Sequence, residues 1–216
     1  MLSRFSLTIG PASTVKYIND THPDQKLLYF KSEDNPGRYL LLDVFDTHHV
    51  FASDLRFKTY YDNGRGTHAW DCPFFEFRYV TINKDEQIIF SSLLKRWENE
   101  ENRPAGLKRT IVGFKRKRTF EYLMINAWES EEAFLAWNRD PENKMNQFTF
   151  SGGPGAFIKK YHQISKHDVQ LETDATLTED KFKQIHEEQK QEEEAWNKSW
   201  DKGWSDWATT EEDFEE

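Results

Sequence analysis

The chain has 216 residues and a formal net charge of −9, and 15% of its side chains are aromatic while 31% are charged. That length accommodates one large domain or two small ones and can bury a sizeable core. No apolar run approaches the ~18 residues of a membrane helix, and the first residues lack the apolar block of a signal peptide. We therefore expect a cytoplasmic protein with no membrane span. The single cysteine, Cys72, cannot form an internal disulfide.

The negative charge is concentrated at the C-terminal end. Residues 171–216 contain 16 acidic and 5 basic side chains, whereas residues 1–170 contain 22 acidic and 24 basic ones. A basic cluster flanks a predicted hairpin within residues 108–118, with Phe114 as the only aromatic residue beside it. Because no RNA-binding motif accompanies this cluster, we interpret it as a charged turn that keeps the hairpin in solution. Heme propionates and the acidic end of the chain are its alternative partners, and we expect no nucleic-acid partner.

Residues 1–66 are predicted to form an N-terminal lobe. Turn-forming residues and alternating apolar residues divide it into strands and helices in the order β-α-β-β-α. The predicted strands are 4–9, 27–31 and 39–45, and the predicted helices are 12–21 and 52–61. Residues 67–73 are predicted to be a linker.

Residues 74–165 repeat that order with stronger signals and end in an additional strand. The predicted strands are 75–82, 107–115, 119–128 and 156–164, and the predicted helices are 86–102, 130–138 and a short one from Pro141 to Phe148 capped by Asp140. Ile89, Leu93, Leu94 and Trp97 are expected to form the buried side of the first helix. Both segments read as ferredoxin-like units. The predicted fold class is α+β, with two ferredoxin-like lobes whose sheets face each other or close into one barrel.

The junction between the strand ending at Trp128 and the following helix has the most specific pattern. Ser130 is placed to cap that helix, and two glutamates follow in its first turn, where negative charge suits the helix dipole. Phe134 and Trp137 lie at helical spacing and form one apolar face together with Ala133.

This junction resembles the antibiotic-biosynthesis-monooxygenase (ABM) family, and within it the two-lobed heme-degrading monooxygenases of the HmoB/IsdG type, whose layout the TRAP proteins share. The similarity covers residues 1–165. It rests on the run 128–137 and, more weakly, on the opening FSLTIG (residues 5–10), His22-Pro23 and NRPAGL (residues 102–107). The resemblance implies that the junction lines a pocket for heme or for a polycyclic aromatic substrate. Because one chain supplies both halves of the barrel, it implies a monomer, with a homodimer as the alternative.

The resemblance also implies particular pocket residues. Heme-degrading members carry an asparagine on the first strand of the C-terminal lobe, the second tryptophan of the run, and an iron-ligating histidine ten residues later. Here the tryptophan is Trp137, the histidine position is Gln147, and the asparagine position is Phe77, or Glu76 if the register slips by one. A glutamine amide is a poorer iron ligand than an imidazole. Phe77, Phe134, Trp137 and Gln147 are the expected pocket residues, with heme as the ligand that the resemblance implies.

Other members of the family oxidise polycyclic phenols without a cofactor, and polar groups then assist deprotonation of the substrate. Asn126 is the candidate for that role among the polar residues Asn126, Gln147, Tyr79 and Tyr122, beside Trp137 as the main catalytic candidate. If Leu123, Ile125 and Ala127 pack under the helices, Asn126 faces the cavity. In the alternative interpretation, Asn126 is bonded to the backbone.

The sequence therefore leaves two functions open. One is a monooxygenase that degrades heme or acts on another flat aromatic ligand. The other is a catalytically inactive binding or regulatory protein, because the family histidine and asparagine are both replaced. No histidine, cysteine or carboxylate spacing indicates a metal site.

Residues 166–216 are predicted to be an acidic tail, helical or disordered. Trp196, Trp200, Trp204 and Trp207 recur at helical spacing within it. Burying each large aromatic side chain is worth roughly 2–3 kcal/mol, so we expect the tail to bind its own barrel or a protein partner.

Overall fold

The computed structural model describes residues 2–35, 37–44, 50–51, 55–64, 70–115, 121–151 and 158–172. All of them belong to one compact unit, Met1–Thr173. Residues 173–216 lie outside the described residues, so the character of the tryptophan-containing tail stays a prediction. The boundaries 1–66, 67–73, 74–165 and 166–216 also stay predictions.

The two halves of the described chain follow the same order of strands. The elements of the first half are β1 (Arg4–Gly10), α1 (Ala12–Thr21), β2 (Leu28–Ser32), β3 (Tyr39–Asp43) and β4 (Arg56–Asp62). Those of the second half are β5 (Phe74–Thr81), α2 (Lys84–Arg96), a 3-10 turn (Glu100–Asn102), β6 (Leu107–Phe114), β7 (Glu121–Trp128), α3 (Glu131–Arg139), α4 (Asn146–Ser151) and β8 (Ile158–Ile164). A last helix, α5 (Lys166–Glu172), follows β8.

The eight strands form one closed barrel in the order β1-β3-β2-β8-β5-β7-β6-β4. Within each half, the strands lie in the ferredoxin-like order of fourth, first, third and second. The fourth strand of each half then pairs with the second strand of the other half, because β4 pairs with β6 and β8 pairs with β2. The two ferredoxin-like lobes thus close one barrel within a single chain, as the sequence predicted.

The strands bury a different set of side chains on each face. On β5, Phe75 and Phe77 face the barrel interior, where both rings contact Phe30 of β2 at 4.7 and 5.7 Å between ring centroids. Phe74 and Val80 lie on the opposite face of β5, in the core that α2, α3 and α4 cover. Any side chain of β5 that reaches the helices therefore occupies an even-numbered position.

The two inter-lobe strand pairs each carry an ion pair. Arg109 of β6 donates from Nε and Nη2 to the two carboxylate oxygens of Asp62 of β4, each at 3.1 Å. On the opposite side of the barrel, Lys160 of β8 pairs with Glu33, which follows β2. Among the described helices, none combines the length and the apolar character needed to cross a bilayer.

Two predicted elements of the sequence were wrong. The helix predicted at 52–61 is strand β4 over its described part, because this segment pairs with both β1 and β6 and such tertiary pairing overrides a weak helix signal. The short helix predicted from Pro141 begins at Asn146 instead. Asp140 does not cap it, since its carboxylate accepts from the amide of Glu142 at 2.9 Å within a turn.

The predicted buried side of α2 was also wrong in part. Ile89 is 49% exposed, whereas Phe90 and Leu94 are buried and Trp97 follows them directly after the helix. The helix begins earlier than expected because Asn83 and Glu86 form a capping box, in which the Asn83 side chain accepts from the amides of Asp85 and Glu86.

Candidate functional site

Helix α3 is held against the sheet as its sequence predicts. The Ser130 hydroxyl accepts from the amide of Ala133 at 3.2 Å, which confirms the predicted cap. Gly106 has φ +79°, and a Cβ there would lie 2.6 Å from the Ala133 side chain. Helix and turn therefore approach closely because residue 106 is glycine. This contact seats Phe134, 2% exposed, against Phe74 and Trp128.

Three tryptophans meet beside this helix, and we call Trp97, Trp128 and Trp137 the tryptophan cluster. The Trp137 ring lies 5.1 Å from that of Trp128 and 6.1 Å from that of Trp97. Trp137 is half-buried, whereas Trp128 is wholly buried. The indole N–H of Trp128 has no hydrogen-bond acceptor among the described residues. The cluster thus combines three indole rings in tilted and edge-to-face contact with a buried donor that has no acceptor in the part of the chain that the structure describes.

A buried polar network runs across the strands beneath α3. Arg78 donates from Nε to Glu76 at 2.5 Å, and both side chains are 0% exposed. The other carboxylate oxygen of Glu76 accepts from the Asn126 amide at 3.1 Å, and the Asn126 carbonyl accepts from the Thr110 hydroxyl at 2.7 Å. Strands β5, β7 and β6 therefore hold the Glu76 carboxylate in a fixed position.

The outer end of the network reaches the segment that joins α3 to α4. The Arg78 guanidinium donates from Nη2 to the side-chain oxygen of Asn138 at 3.0 Å and from Nη1 to that of Asn146 at 3.1 Å. Asn146 also donates to the backbone carbonyl of Asn138 at 2.8 Å. The guanidinium carbon lies 4.9 Å from the centre of the Trp137 ring, a cation–π distance. Arg78 therefore joins the polar network to the tryptophan cluster.

The structure brings some of the sequence-predicted pocket residues together and separates others. Phe134 and Trp137 lie at the tryptophan cluster, and Asn126 lies beneath it in the polar network. Phe77, by contrast, faces the barrel interior and contacts Phe30 and Tyr161. Gln147 is exposed. The assignment of Phe77 to the same pocket as Trp137 was therefore wrong, because neighbouring residues of a strand point to opposite faces.

Strand β7 has the orientation opposite to the one under which Asn126 would face a cavity inside the barrel. Tyr122 and Met124 pack in the core beneath the helices, and the Tyr122 hydroxyl accepts from Gln87 of α2 at 2.8 Å. Leu123 and Ile125 therefore face the barrel interior. Asn126 lies on the helix side and bonds to the side chains of Thr110 and Glu76, whereas the alternative interpretation had it bonded to the backbone.

Sequence reasoning missed Arg78, Asn138 and Asn146. The charged pair Glu76 and Arg78 within the apolar run of 74–82 was the available signal. Two charges at alternate positions of a buried strand must lie on the same face and be paired.

The residues at the predicted heme-contact positions do not fit a heme whose iron is bound by histidine. Position 147 offers an exposed amide, and position 77 offers a phenyl ring inside the barrel. Of the described histidines, His162 contacts a member of this core, with its ring 5.5 Å from that of Phe74. Its Nε2 lies 3.8 Å from Glu33, and its side chain is 47% exposed. That environment differs from the enclosed imidazole expected of an axial ligand.

Glu33, Glu131 and His162 place one ligand atom each within 4.8 Å of one another. The ammonium group of Lys160, however, pairs with both carboxylates, at 3.3 Å from Glu131. These hydrogen bonds, that to Glu33 foremost, raise the pKa of Lys160. A protonated lysine thus already supplies the positive charge of this cluster.

Comparisons with known proteins show the same architecture at low sequence identity. No family model and no curated protein matches the chain. The structure of a heme-degrading enzyme from Listeria monocytogenes is 16% identical, with a TM-score of 0.57 over 74% of this chain and 98% of that one. A monooxygenase-like protein from Listeria innocua is 15% identical, with a TM-score of 0.62 over 76% of this chain and 95% of that one.

A third structure, an uncharacterised ferredoxin-fold protein from Listeria monocytogenes related to antibiotic biosynthesis monooxygenases, is 15% identical. Its TM-score is 0.60, and the match covers 76% of this chain and 95% of that one. These likenesses extend over the length of the neighbours and establish the fold. The chain therefore has the two-lobed, ferredoxin-like barrel fold of these neighbours.

Proposed function

We propose that the protein is a monooxygenase of the ABM type that binds a flat aromatic ligand against the tryptophan cluster. The observation that carries this proposal is the indole N–H of Trp128, a member of the cluster, which is buried without an acceptor among the described residues. A buried donor without a partner costs about 1–3 kcal/mol. An oxygen of an aromatic ligand would supply the acceptor.

The partly exposed ring of Trp137 favours a planar ligand. Trp137 is half-buried and contacts both other tryptophans. Offset or edge-to-face contact between aromatic rings adds about 0.5–1.5 kcal/mol to the area that they bury. A flat ring that replaces solvent at the exposed side of Trp137 is stabilised both by the apolar area that it buries and by the contact between the rings.

A phenolic ligand fits the side chains better than heme does, because the histidine position is an exposed glutamine. In monooxygenation without a cofactor, an electron-rich substrate supplies the electrons that reduce oxygen. The protein then has to hold the ring, exclude water and favour the deprotonated substrate. Trp137 and Trp128 would hold the ring, and the buried charges of the polar network would act on its hydroxyl group.

A monomer is the simplest assembly that fits this proposal. Each described strand of the barrel pairs with two neighbours within the same chain. No described sheet edge therefore remains for a second copy to extend.

The first experiment compares two aromatic probes, 1-naphthol and hemin. We expect 1-naphthol to quench tryptophan fluorescence, and oxygen uptake without added reductant to follow at a rate proportional to enzyme. Trp137→Phe should weaken naphthol binding by about tenfold, since an indole contact is worth about 1 kcal/mol or more. Trp70→Phe is the matched control, because Trp70 stacks on Phe75 and lies outside the tryptophan cluster.

Two results would contradict the proposal. The first is naphthol binding that Trp137→Phe leaves unchanged. The second is a Soret band on addition of hemin that bleaches with reductant, which would make heme the ligand. Binding without oxygen uptake would indicate a protein that binds aromatic ligands and has no catalytic activity.

A further inference from the structure

We propose that the aromatic ligand is an anion, and that Arg78 binds its carboxylate or phenolate group in place of the side-chain amides of Asn138 and Asn146. This inference rests on the proposed function, because it names the chemical class of ligand for the same site. It assigns Arg78 as the residue that determines charge specificity.

The hydrogen-bond acceptors around Arg78 differ in charge. Its Nε donates to the carboxylate of Glu76, whereas Nη1 and Nη2 donate to the neutral amide oxygens of Asn146 and Asn138. The two terminal nitrogens of a guanidinium match the two oxygens of a carboxylate, and hydrogen bonds to a charged acceptor are roughly twice as strong as those to a neutral one. An anionic group is therefore a better partner for this edge of Arg78 than the two amides are.

The position of this edge makes it reachable. Arg78 is 0% exposed, but Asn138, Asn146 and Trp137, which contact it, are each only partly buried. Side chains that reach solvent therefore adjoin the buried guanidinium. Rotation of the Asn138 and Asn146 side chains would bring the Nη edge of Arg78 nearer to solvent while the strands stay in place, and side-chain rotation of this kind is common when ligands bind.

The inner end of the network keeps Arg78 in position during this exchange. Glu76 accepts from Arg78 on one oxygen and from Asn126 on the other, and Thr110 holds Asn126. Glu76, Asn126 and Thr110 are therefore positioning residues. Because the outer edge of Arg78 adjoins side chains that are only partly buried, a bound anion would keep part of its solvation while it pairs with the guanidinium.

The ring of the ligand would lie beside Trp137. The Arg78 guanidinium already lies 4.9 Å from the centre of the Trp137 ring. An aromatic anion that binds the Nη edge therefore brings its own ring next to this tryptophan. Anionic recognition and aromatic recognition then act on one molecule, which neither an inorganic anion nor an uncharged ring satisfies.

The test compares 2-naphthoate with its uncharged isostere 2-naphthamide by isothermal titration calorimetry. We expect naphthoate to bind at least about tenfold more tightly, which corresponds to about 1.4 kcal/mol. Asn138→Asp places a competing carboxylate beside Arg78 and should remove most of this preference while naphthamide binding changes by less than about twofold. Asn99→Asp is the matched control, since Asn99 caps the 3-10 turn outside the polar network.

A second variant removes both charges together. In Glu76→Gln/Arg78→Gln no buried charge is left without its partner, so the fold should persist, and the preference for naphthoate should disappear.

A further measurement distinguishes the two groups, a phenolate and a carboxylate, that could carry the negative charge of the ligand. Absorption of bound 1-naphthol in its phenolate band at pH 7 would identify a phenol that ionises in the site, whereas a preference confined to naphthoate would identify a carboxylate.

Equal affinity for naphthoate and naphthamide, with Trp137-dependent binding of both, would overturn the anion inference and leave the proposed function intact. A preference for naphthoate that survives Glu76→Gln/Arg78→Gln would also overturn it, because another cation would then bind the anion. Failure of both probes and of 1-naphthol to bind would overturn the inference and the proposed function together.

Discussion

The guanidinium of Arg78 lies 2.5 Å from the carboxylate of Glu76, two positions earlier on the same strand, and neither side chain is exposed to solvent. Residues i and i+2 of a strand share one face, so β5 carries its own ion pair into the core beneath α3 and α4. Replacing a buried pair by apolar residues is often neutral or stabilising. The pair is therefore better explained by recognition or positioning than by the stability of the fold.

The first prediction concerns the stability of this pair. Arg78→Leu and Glu76→Leu should each lower the free energy of unfolding by about 3–5 kcal/mol, because each leaves one buried charge without its partner. The double variant should lose less than either single variant. Urea unfolding at pH 7, analysed as a double-mutant cycle, measures the coupling between the two side chains. Additive losses would show that the two charges do not depend on each other.

The two-lobed barrel could be predicted from the sequence because each lobe carries its own strand and helix signals. The strand–cap–helix junction at Ser130 was correct in detail, since a cap depends on neighbouring residues alone. Strand β4 was missed because its conformation depends on β1 and β6, which are distant in the sequence. Pairing between distant segments leaves little trace in a local pattern.

The candidate site was predictable only in part, for a related reason. Helical spacing predicted that Phe134 and Trp137 share an apolar face, and both pack in the core beneath α3, while their role in a pocket stays a prediction. Phe77 was placed on the wrong face, because a shift of one residue along a strand exchanges its two faces and the sequence did not fix that register. The contact between Arg78 and Asn146 joins residues that lie 68 positions apart, so no spacing rule indicates it.

The second prediction concerns the ion pair between the lobes. The side chain of Asp62 is 1% exposed and accepts from Arg109 through both of its carboxylate oxygens. Asp62→Ala should lower the free energy of unfolding by about 3 kcal/mol, since it leaves a buried guanidinium without its carboxylate. Asp34→Ala is the matched control. It removes the exposed pair with Lys159, and such surface pairs are worth at most about 1 kcal/mol. Equal losses in urea titrations of the two variants would refute the assigned role of Asp62.

The third prediction concerns packing inside the barrel. A Cβ at Gly113 would lie 2.5 Å from the Phe5 ring and 2.7 Å from the Cβ of Phe57. Gly113→Ala should therefore destabilise the protein by about 1–3 kcal/mol through overpacking. Phe5→Leu introduced together with it should recover part of the loss by removing ring atoms. Thermal unfolding of the single and double variants measures both effects, and a lower melting temperature for the double variant than for Gly113→Ala would contradict the packing argument.

The fourth prediction concerns the loss of stability at alkaline pH. Burial, and secondarily the charge of Glu98, raise the pKa of Tyr61 from 10.0 to about 12. The folded state therefore binds the Tyr61 hydroxyl proton more tightly than the unfolded state does. The contribution of this proton to the free energy of unfolding is complete below pH 10 and is lost as the pH rises toward 12. Over that interval the free energy of unfolding should fall by about 2 kcal/mol more in the wild type than in Tyr61→Phe. Urea unfolding between pH 8 and pH 11.5 at constant ionic strength measures the difference. Tyr17→Phe is the control, because Tyr17 is 40% exposed. If Tyr61→Phe loses stability across this range as steeply as Tyr17→Phe does, then Tyr61 is not the group that titrates.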